Sequence, residues 1–366
     1  MTAPLLQSVA FAALAGWRHD DHAAALGAFQ RSAGEILTDA SGFRRAALFG
    51  GLAEDWRQVC NAALAAQDAR KFFETEFQPF AVTDTVRVEG LFTGYFEPVV
   101  EGTRAASPEY PVPVYRKPND LVAFTAAEER ETRLRYGRRT VNKAEGYPVR
   151  KDIEQGALAG LGLEICWLKS WVDAFFMHIQ GSGRVALREG GVIRLSYAAK
   201  TGHPYTGVGG VLAERGILTR QTMSMQSVKQ WMASHPGEAR ALMWQNKSYV
   251  FFRETEIADA SLGAIGAAKV NLTPFRSMAV DRSLWMYGTP LWIETHYPPE
   301  ARAEKQQIQQ LMIAQDTGSA IKGAVRGDFY WGWGDDAALI AGHMKSQGTM
   351  TVLLPKAVAA RSGLAK

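Results

Sequence analysis

"QLMIAQDTGSAIKGAVRGDFYWGWGDD", Gln310 to Asp336, decides how the chain is read. It holds two short apolar runs, "QLMIAQD" (Gln310–Asp316) and "RGDFYW" (Arg326–Trp331), on either side of a stretch broken by glycines. Neither run is long enough for a helix, and both are rich in residues that suit a pleated surface. The pattern continues outward in "SMAVD" (Ser277–Asp281), "LWMYGTPLWIET" (Leu284–Thr295) and "TMTVLLPK" (Thr349–Lys356). Short strands at such spacing need closure to hide their unpaired edges, so this part of the chain reads as a small closed β-barrel.

The acids of that stretch differ in what explains them. Asp335 and Asp336 precede "AALIAGHMK", a short helical pattern, and N-capping accounts for them. Asp328 sits in a strand beside Phe329, Tyr330 and Trp331, where an ionised carboxylate is costly unless paired. It reads either as a general acid with a raised pKa or as a structural hydrogen-bonding group. Asp316 ends a strand before a turn, where an Asx-turn competes with a role in a site, and Asp281 in "AVD" is equally ambiguous.

Working toward the N-terminus, the middle of the chain holds "LEICWLKSWVDAFFMHIQGSGRVALREGGVIRLSYAAKTGHPY", read as two or three strands joined by a glycine turn at Glu189 to Gly191. "TMSMQSVKQWMASHPGEARALMWQN" reads as helical and "SYVFFRE" as a strand. From Val86 the pattern "RVEGLFTGYFEPVVEG" is strand-like, with a boundary expected near Arg104. The first 80 residues are helical. Leu26, Phe29, Ala33, Ile36 and Leu37 form one stripe, and Trp56, Cys60, Ala63, Leu64 and Phe73 form another, with Asp20 or Asp21 as an N-cap.

With 366 residues, 47% hydrophobic and 21% charged, the chain is globular, which excludes disorder and fibres. The net charge of +4 is spread out and too weak to argue for nucleic acid, though it suits an anionic substrate or surface. Cys60 and Cys166 have no metal-ligand spacing and read as buried small side chains. His19 and His22 lack a third ligand, so no metal site is expected. "QGSGRVA" matches a dinucleotide fingerprint at Gly181, Gly183 and Ala186, but the hairpin-like sequence after it is the wrong context. No apolar run reaches the ~18 residues that span a bilayer. "MTAPLLQSVAFAALAGW" has no Lys or Arg before Arg18 and reads poorly as a signal peptide, so an exported form would carry its signal outside this chain. The tyrosines and tryptophans Tyr95, Trp285, Trp292, Tyr330, Trp331 and Trp333, with Phe96, read mainly as core. "FTGYFEP" and "IQGSGR" nevertheless offer aromatic faces and amides among glycines, as a sugar-binding surface does.

The motifs "LFTGYFEPVVEGT", "FFMHIQGSGRVAL", "YAAKTGHPYTGVG", "RSMAVDRSLWMYGTPLWIET", "AQDTGSAIKGAVRGDFYWGWG" and "AGHMKSQGTMTVLLPK" together resemble the membrane-bound lytic murein transglycosylase A family from about Trp17 to Pro355. The resemblance implies a mainly β fold with N-terminal helices: a double-psi β-barrel domain from residues 1–104 and 251–366, with a smaller β-domain at 105–250 inserted and a peptidoglycan groove between them. It implies that Asp281, Asp316 and Asp328 match the three aspartates for which the barrel motif is named. Asp328 then takes the catalytic position, with Asp316 and Asp281 in support. Tyr95, Glu97, Gln180, Ser182 and Gly183 would line the groove, and Lys322 and Gly323 would shape the loop beside the acid. The family often carries "HFD" where this chain has "RGD" (Arg326–Asp328), which leaves the acid in place.

The same resemblance implies a reaction that needs one acid. Ordinary glycoside hydrolysis uses two carboxylates. A lytic transglycosylase instead closes the muramyl C6 hydroxyl on C1. The expected partner is the peptidoglycan glycan strand, with no cofactor, no metal and no nucleic acid, bound in an open groove compatible with a monomer. The expected place is the periplasm or outer membrane of a Gram-negative bacterium, with membrane attachment only through a lipid anchor that this chain does not carry. A two-carboxylate hydrolase on the same barrel, with Asp316 or Asp335 as the second acid, and an expansin-like binding module are the alternatives.

Overall fold

The computed structural model describes residues 4–38, 47–84, 90–141, 143–219, 221–301 and 306–364. The expected strand onset at Val86 lies outside the described residues. Two compact units are present, one of Met1–Phe96 with Asp259–Lys366 and one of Glu97–Ala258.

The first unit begins with helices whose caps are local. Asp21 Oδ1 accepts the Ala24 amide at 3.0 Å and starts α1 (His22–Leu37). Asp20 does not cap the helix; it binds Arg276 at 2.9 Å and the Leu311 amide at 3.0 Å. The second apolar stripe is two helices, α2 (Ala53–Ala65) and α3 (Ala69–Glu76), the latter capped by Asp68. Leu64, expected on the stripe, is exposed, because α2 turns Trp56, Val59, Cys60 and Ala63 inward instead. Phe29, Phe72, Phe73 and Phe77 pack edge to face or tilted, and each fully buried ring contributes about 1.5–3 kcal/mol.

The strands of this unit are β1 (Leu5–Ser8), β2 (Phe77–Thr83), β3 (Gly90–Glu97), β4 (Ser277–Val280), β5 (Pro290–His296), β6 (Gln307–Asp316), β7 (Arg326–Trp333) and β8 (Lys345–Pro355). They form one sheet in the order β1, β2, β8, β5, β6, β4, β7, β3, and β3 returns to pair with β8. The strands from β8 round to β3 therefore close a circuit, which leaves no free edge among them. The β4–β6 pair is parallel. Long β8 serves β3 with its first residues and β2 with its last, and at Gly348 any Cβ would lie 2.2 Å from the Glu294 carbonyl. Asp335 and Asp336 stand inside the first turn of α4 (Gly334–His343), suiting its dipole; Trp333, not an aspartate, occupies the cap.

The second unit has a six-stranded sheet ordered Val250–Thr255, Val192–Lys200, Ser182–Leu187, Val99–Thr103, Glu164–Leu168 and Val112–Tyr115, and a small sheet of Val122–Ala123, Tyr136–Arg139 and Ala144–Glu145. The hairpin expected around Glu189–Gly191 is present. "WVDAFFMHIQ", read as strand, is a helix, Trp171–Gln180. Its residues are mostly apolar, which suits a buried strand as well, but Ser170 caps it through the Asp173 amide at 3.2 Å and Gly181, at φ 80°, stops it. Helices Val208–Glu214, Met225–Ser234 and Pro236–Met243 pack on it through Phe175, Phe176, Leu212 and Trp231, so this unit holds more helix than a purely β reading gives. Cys60 and Cys166 are buried free thiols, and burial pushes both up to about 12. Among the described residues no helix is long and apolar enough to cross a membrane.

Candidate active site

The site is built on β4. Its Ala279 pairs with Asp328 on antiparallel β7 and with Asp316 on parallel β6. Cross-strand partners project to the same face, so the two carboxyls flank one methyl group. The pairing with β6 jumps from Met278/Ala314 to Ala279/Asp316, and the skipped residue is Gln315. This bulge sends the Gln315 amide inward to Ala28 and Ser32, each at 2.8 Å, and brings Asp316 level with Ala279.

Asp328 is held by β3. Thr93 Oγ1 donates to Asp328 Oδ1 at 2.6 Å and accepts from Arg326 Nη2 at 2.8 Å. Protein surrounds the carboxyl although part of its surface stays open, and burial pushes its pKa above the ordinary carboxylate range against the pull of Arg326 and Thr93. Asp316 is raised too, first by burial. Tyr95 Oη donates to Asp316 Oδ2 at 2.9 Å and the Ala267 amide to Oδ1 at 3.0 Å, which moderates the effect. Nearby Asp328 adds to the rise, as one carboxylate opposes ionisation of another.

Asp281 behaves differently. Burial pushes it up, yet Ser283, the Gly323 amide and Lys322 outweigh burial and hold it below the usual range. Its Oδ1 accepts from Ser283 Oγ at 2.7 Å and lies 3.4 Å from Lys322 Nζ, while Oδ2 accepts from Gly323 N at 3.1 Å. Gly323 presents that amide at φ 118°, a conformation open to glycine. Thr317 Oγ1 donates to the Val280 carbonyl at 2.8 Å and Trp285 Nε1 to Ala324 O at 3.1 Å. Asp281 thus ties down the connection between β6 and β7.

Against this geometry the comparisons are specific. The MltA specific insert domain matches residues 91–253 and the 3D domain matches residues 276–354. A membrane-bound lytic murein transglycosylase structure from Agrobacterium tumefaciens superposes with a TM-score of 0.88 at 34% identity, covering 97% of this chain and 99% of that one. The chain belongs to the membrane-bound lytic murein transglycosylase A family.

Two further members of the family are similar. Membrane-bound lytic murein transglycosylase A of Vibrio cholerae is 35% identical over 265 residues, an alignment that spans 70% of this chain and 63% of that protein. The Escherichia coli MltA structure with bound chitohexaose gives a TM-score of 0.67 at 27% identity, covering 97% of this chain and 92% of that one.

Of the residues singled out from sequence, the first unit groups Asp328, Asp316 and Tyr95 about Ala279, and separately groups Asp281 with Lys322 and Gly323. The others lie in the second unit. Glu97 is fully buried, with Oε2 2.9 Å from Arg184 Nε and 3.4 Å from Arg194 Nε, so its carboxylate is engaged in an internal ion pair. Gln180 ends the helix Trp171–Gln180, Ser182 is buried in the strand that follows, and a Cβ on Gly183 would meet Met177 Sδ at 2.7 Å. Sequence reasoning missed Thr93, Arg326 and Gln315. The alternation of Thr93 with Tyr95 in "FTGYFE" was the available signal for the first.

Proposed function

We propose that this protein is a lytic transglycosylase cleaving the β-1,4 bond between N-acetylmuramic acid and N-acetylglucosamine in peptidoglycan, with Asp328 as the single acid and then base. The observation that carries this reading is the environment of Asp328: a carboxyl raised by burial, held through one oxygen by Thr93, and partly open to solvent. Family membership supports it, and chitohexaose in the E. coli relative has the β-1,4 linkage of amino sugars that the reaction requires.

Protonated Asp328 gives its proton to the glycosidic oxygen as the bond from C1 to that oxygen breaks. The carboxylate left behind takes the proton of the muramyl C6 hydroxyl while O6 bonds to C1, giving the 1,6-anhydro sugar. The group ends protonated, ready for the next turnover, and its pKa must lie near working pH for both steps. Asp316, when ionised, supports the positive charge that develops at C1; with both oxygens already receiving hydrogen bonds it is poorly free to activate water, which disfavours the two-carboxylate alternative. Asp281 supports by fixing the loop of Lys322 and Gly323.

The closed strand circuit with its parallel β4–β6 pair supports a double-psi barrel interrupted by an inserted domain, the partition expected at 105–250. A peptidoglycan substrate implies the periplasm or the outer membrane, with the protein acting as a monomer on the glycan strand. The test is mass spectrometry of soluble products from purified peptidoglycan. Anhydromuropeptides released by the wild type and absent with Asp328→Ala support the reading; reducing-end products, or release undiminished in the variant, overturn it.

A further inference from the structure

We infer that Arg326 is a positioning residue that acts through Thr93: it fixes which oxygen of Asp328 accepts a hydrogen bond and so reserves the other oxygen for the proton that moves. This rests on the proposed reading of Asp328 as the acid of the site.

The argument is one of donors and acceptors. A guanidinium has only donors and does not deprotonate in proteins. Arg326 Nη2 lies 2.8 Å from Thr93 Oγ1, so the threonine oxygen must accept there. The single hydroxyl proton of Thr93 must then point elsewhere, and Asp328 Oδ1, at 2.6 Å, is its one acceptor among the described residues. Oδ1 is therefore engaged as an acceptor whether Asp328 is ionised or neutral. In the neutral acid the proton sits on Oδ2, which receives no hydrogen bond among the described residues. Arg326 is itself fixed, because Nη1 donates to the backbone carbonyls of Leu91 at 3.3 Å and Gly327, one on each strand that carries the relay. Without this lock a hydroxyl rotor can turn to accept from the acid, and the proton is then held on the wrong oxygen.

Arg326 also sets the pH at which the acid is lost. Its charge favours the carboxylate, against the burial that opposes it. Removing the charge moves the loss of the proton to higher pH.

The test is the pH dependence of anhydromuropeptide release by the full chain and by Arg326→Met, Arg326→Lys, Thr93→Val and the Arg326→Met/Thr93→Val double variant. Arg326→Met is expected to lower kcat about 10- to 100-fold with little change in KM, the size of loss that misplacement of a reacting group produces. The limb on which activity falls with rising pH shifts to higher pH. Arg326→Lys, which keeps the charge and loses the fork, leaves that limb near its original place with a smaller loss of kcat. The double variant loses little beyond the worse single one, because both act through one relay. A limb unmoved in Arg326→Met, or losses that simply multiply in the double variant, overturns the inference. If Arg326→Met does not fold, Arg326→Lys and Thr93→Val decide: the relay requires kcat to fall in both with KM held, and an unchanged kcat in either overturns it. The parent reading fails separately, by the absence of anhydro products from the wild type.

Discussion

Asp316 and Asp328 stand at one level of the sheet, on opposite flanks of β4, each in register with Ala279. A small residue between them is what the geometry requires, since Ala279 is buried against Tyr95, Leu272, Ile321 and Tyr330. Ala279→Leu is expected to cost about 1–3 kcal/mol by overpacking and to abolish product release. Thermal unfolding and product release on the same preparation check it; full activity in the leucine variant would sink this description of the site.

Asp316→Asn keeps one oxygen to accept from the Ala267 amide and turns its NH2 to Tyr95 Oη, which can accept, but removes the charge. The reading predicts kcat lower by about 100-fold, as for loss of one electrostatic contact to the transition state, with the product still anhydromuramic acid. A switch in product identity would mean that Asp316 takes part in the bond-making step.

Asp328 reverses the usual dependence of stability on pH. An acid whose pKa is raised in the folded state imposes no penalty below the ordinary carboxylate pKa. The penalty grows as pH rises through the window up to the raised value and is complete above it. Asp328→Asn should therefore be inactive yet more stable at pH 7, on the order of 2 °C in Tm, with the advantage shrinking toward pH 4. Scanning calorimetry across that range checks the sign, and a variant less stable at pH 7 than at pH 4, relative to wild type, contradicts it.

Asp281 has the opposite sign. Its lowered pKa contributes stability above the ordinary carboxylate value, lost as pH falls through the folded value. Asp281→Asn should lose about 1–3 kcal/mol at pH 7, the range for disrupting buried hydrogen bonds to a charged group. The loss should shrink in acid. Urea unfolding at the two pH values measures it.

In the second unit, Glu97→Gln leaves Arg184 and Arg194 buried beside a neutral amide. A loss of about 3–5 kcal/mol is expected, as for breaking a buried ion pair from one side. An effect near zero in denaturant unfolding would show that the two guanidinium groups are already satisfied elsewhere.

Much of the first unit's sheet could be read from sequence because its strands are short, apolar and separated by glycines: Gln310–Asp316 and Arg326–Trp331 fall within β6 and β7. Asp328 was legible as an acid without a capping role among aromatic neighbours. The Trp171–Gln180 helix was not, since ten mostly apolar residues without strict alternation fit a buried strand as well, and the cap Ser170 and stop Gly181 lie outside them. Nor could sequence show that Glu97 is engaged with arginines some ninety residues away, or that a bulge at Gln315 sets the level of Asp316. These depend on long-range register, which local pattern does not encode.

The most direct measurement is borohydride reduction of the products that the wild-type protein releases from peptidoglycan, followed by mass spectrometry. A 1,6-anhydro end has no reducible carbon, so the account predicts muropeptides one water lighter than hydrolytic products and unchanged in mass by borohydride. Products that gain two hydrogens at muramic acid would mean that water, not the C6 hydroxyl, closes the reaction, and would contradict a mechanism with one acid.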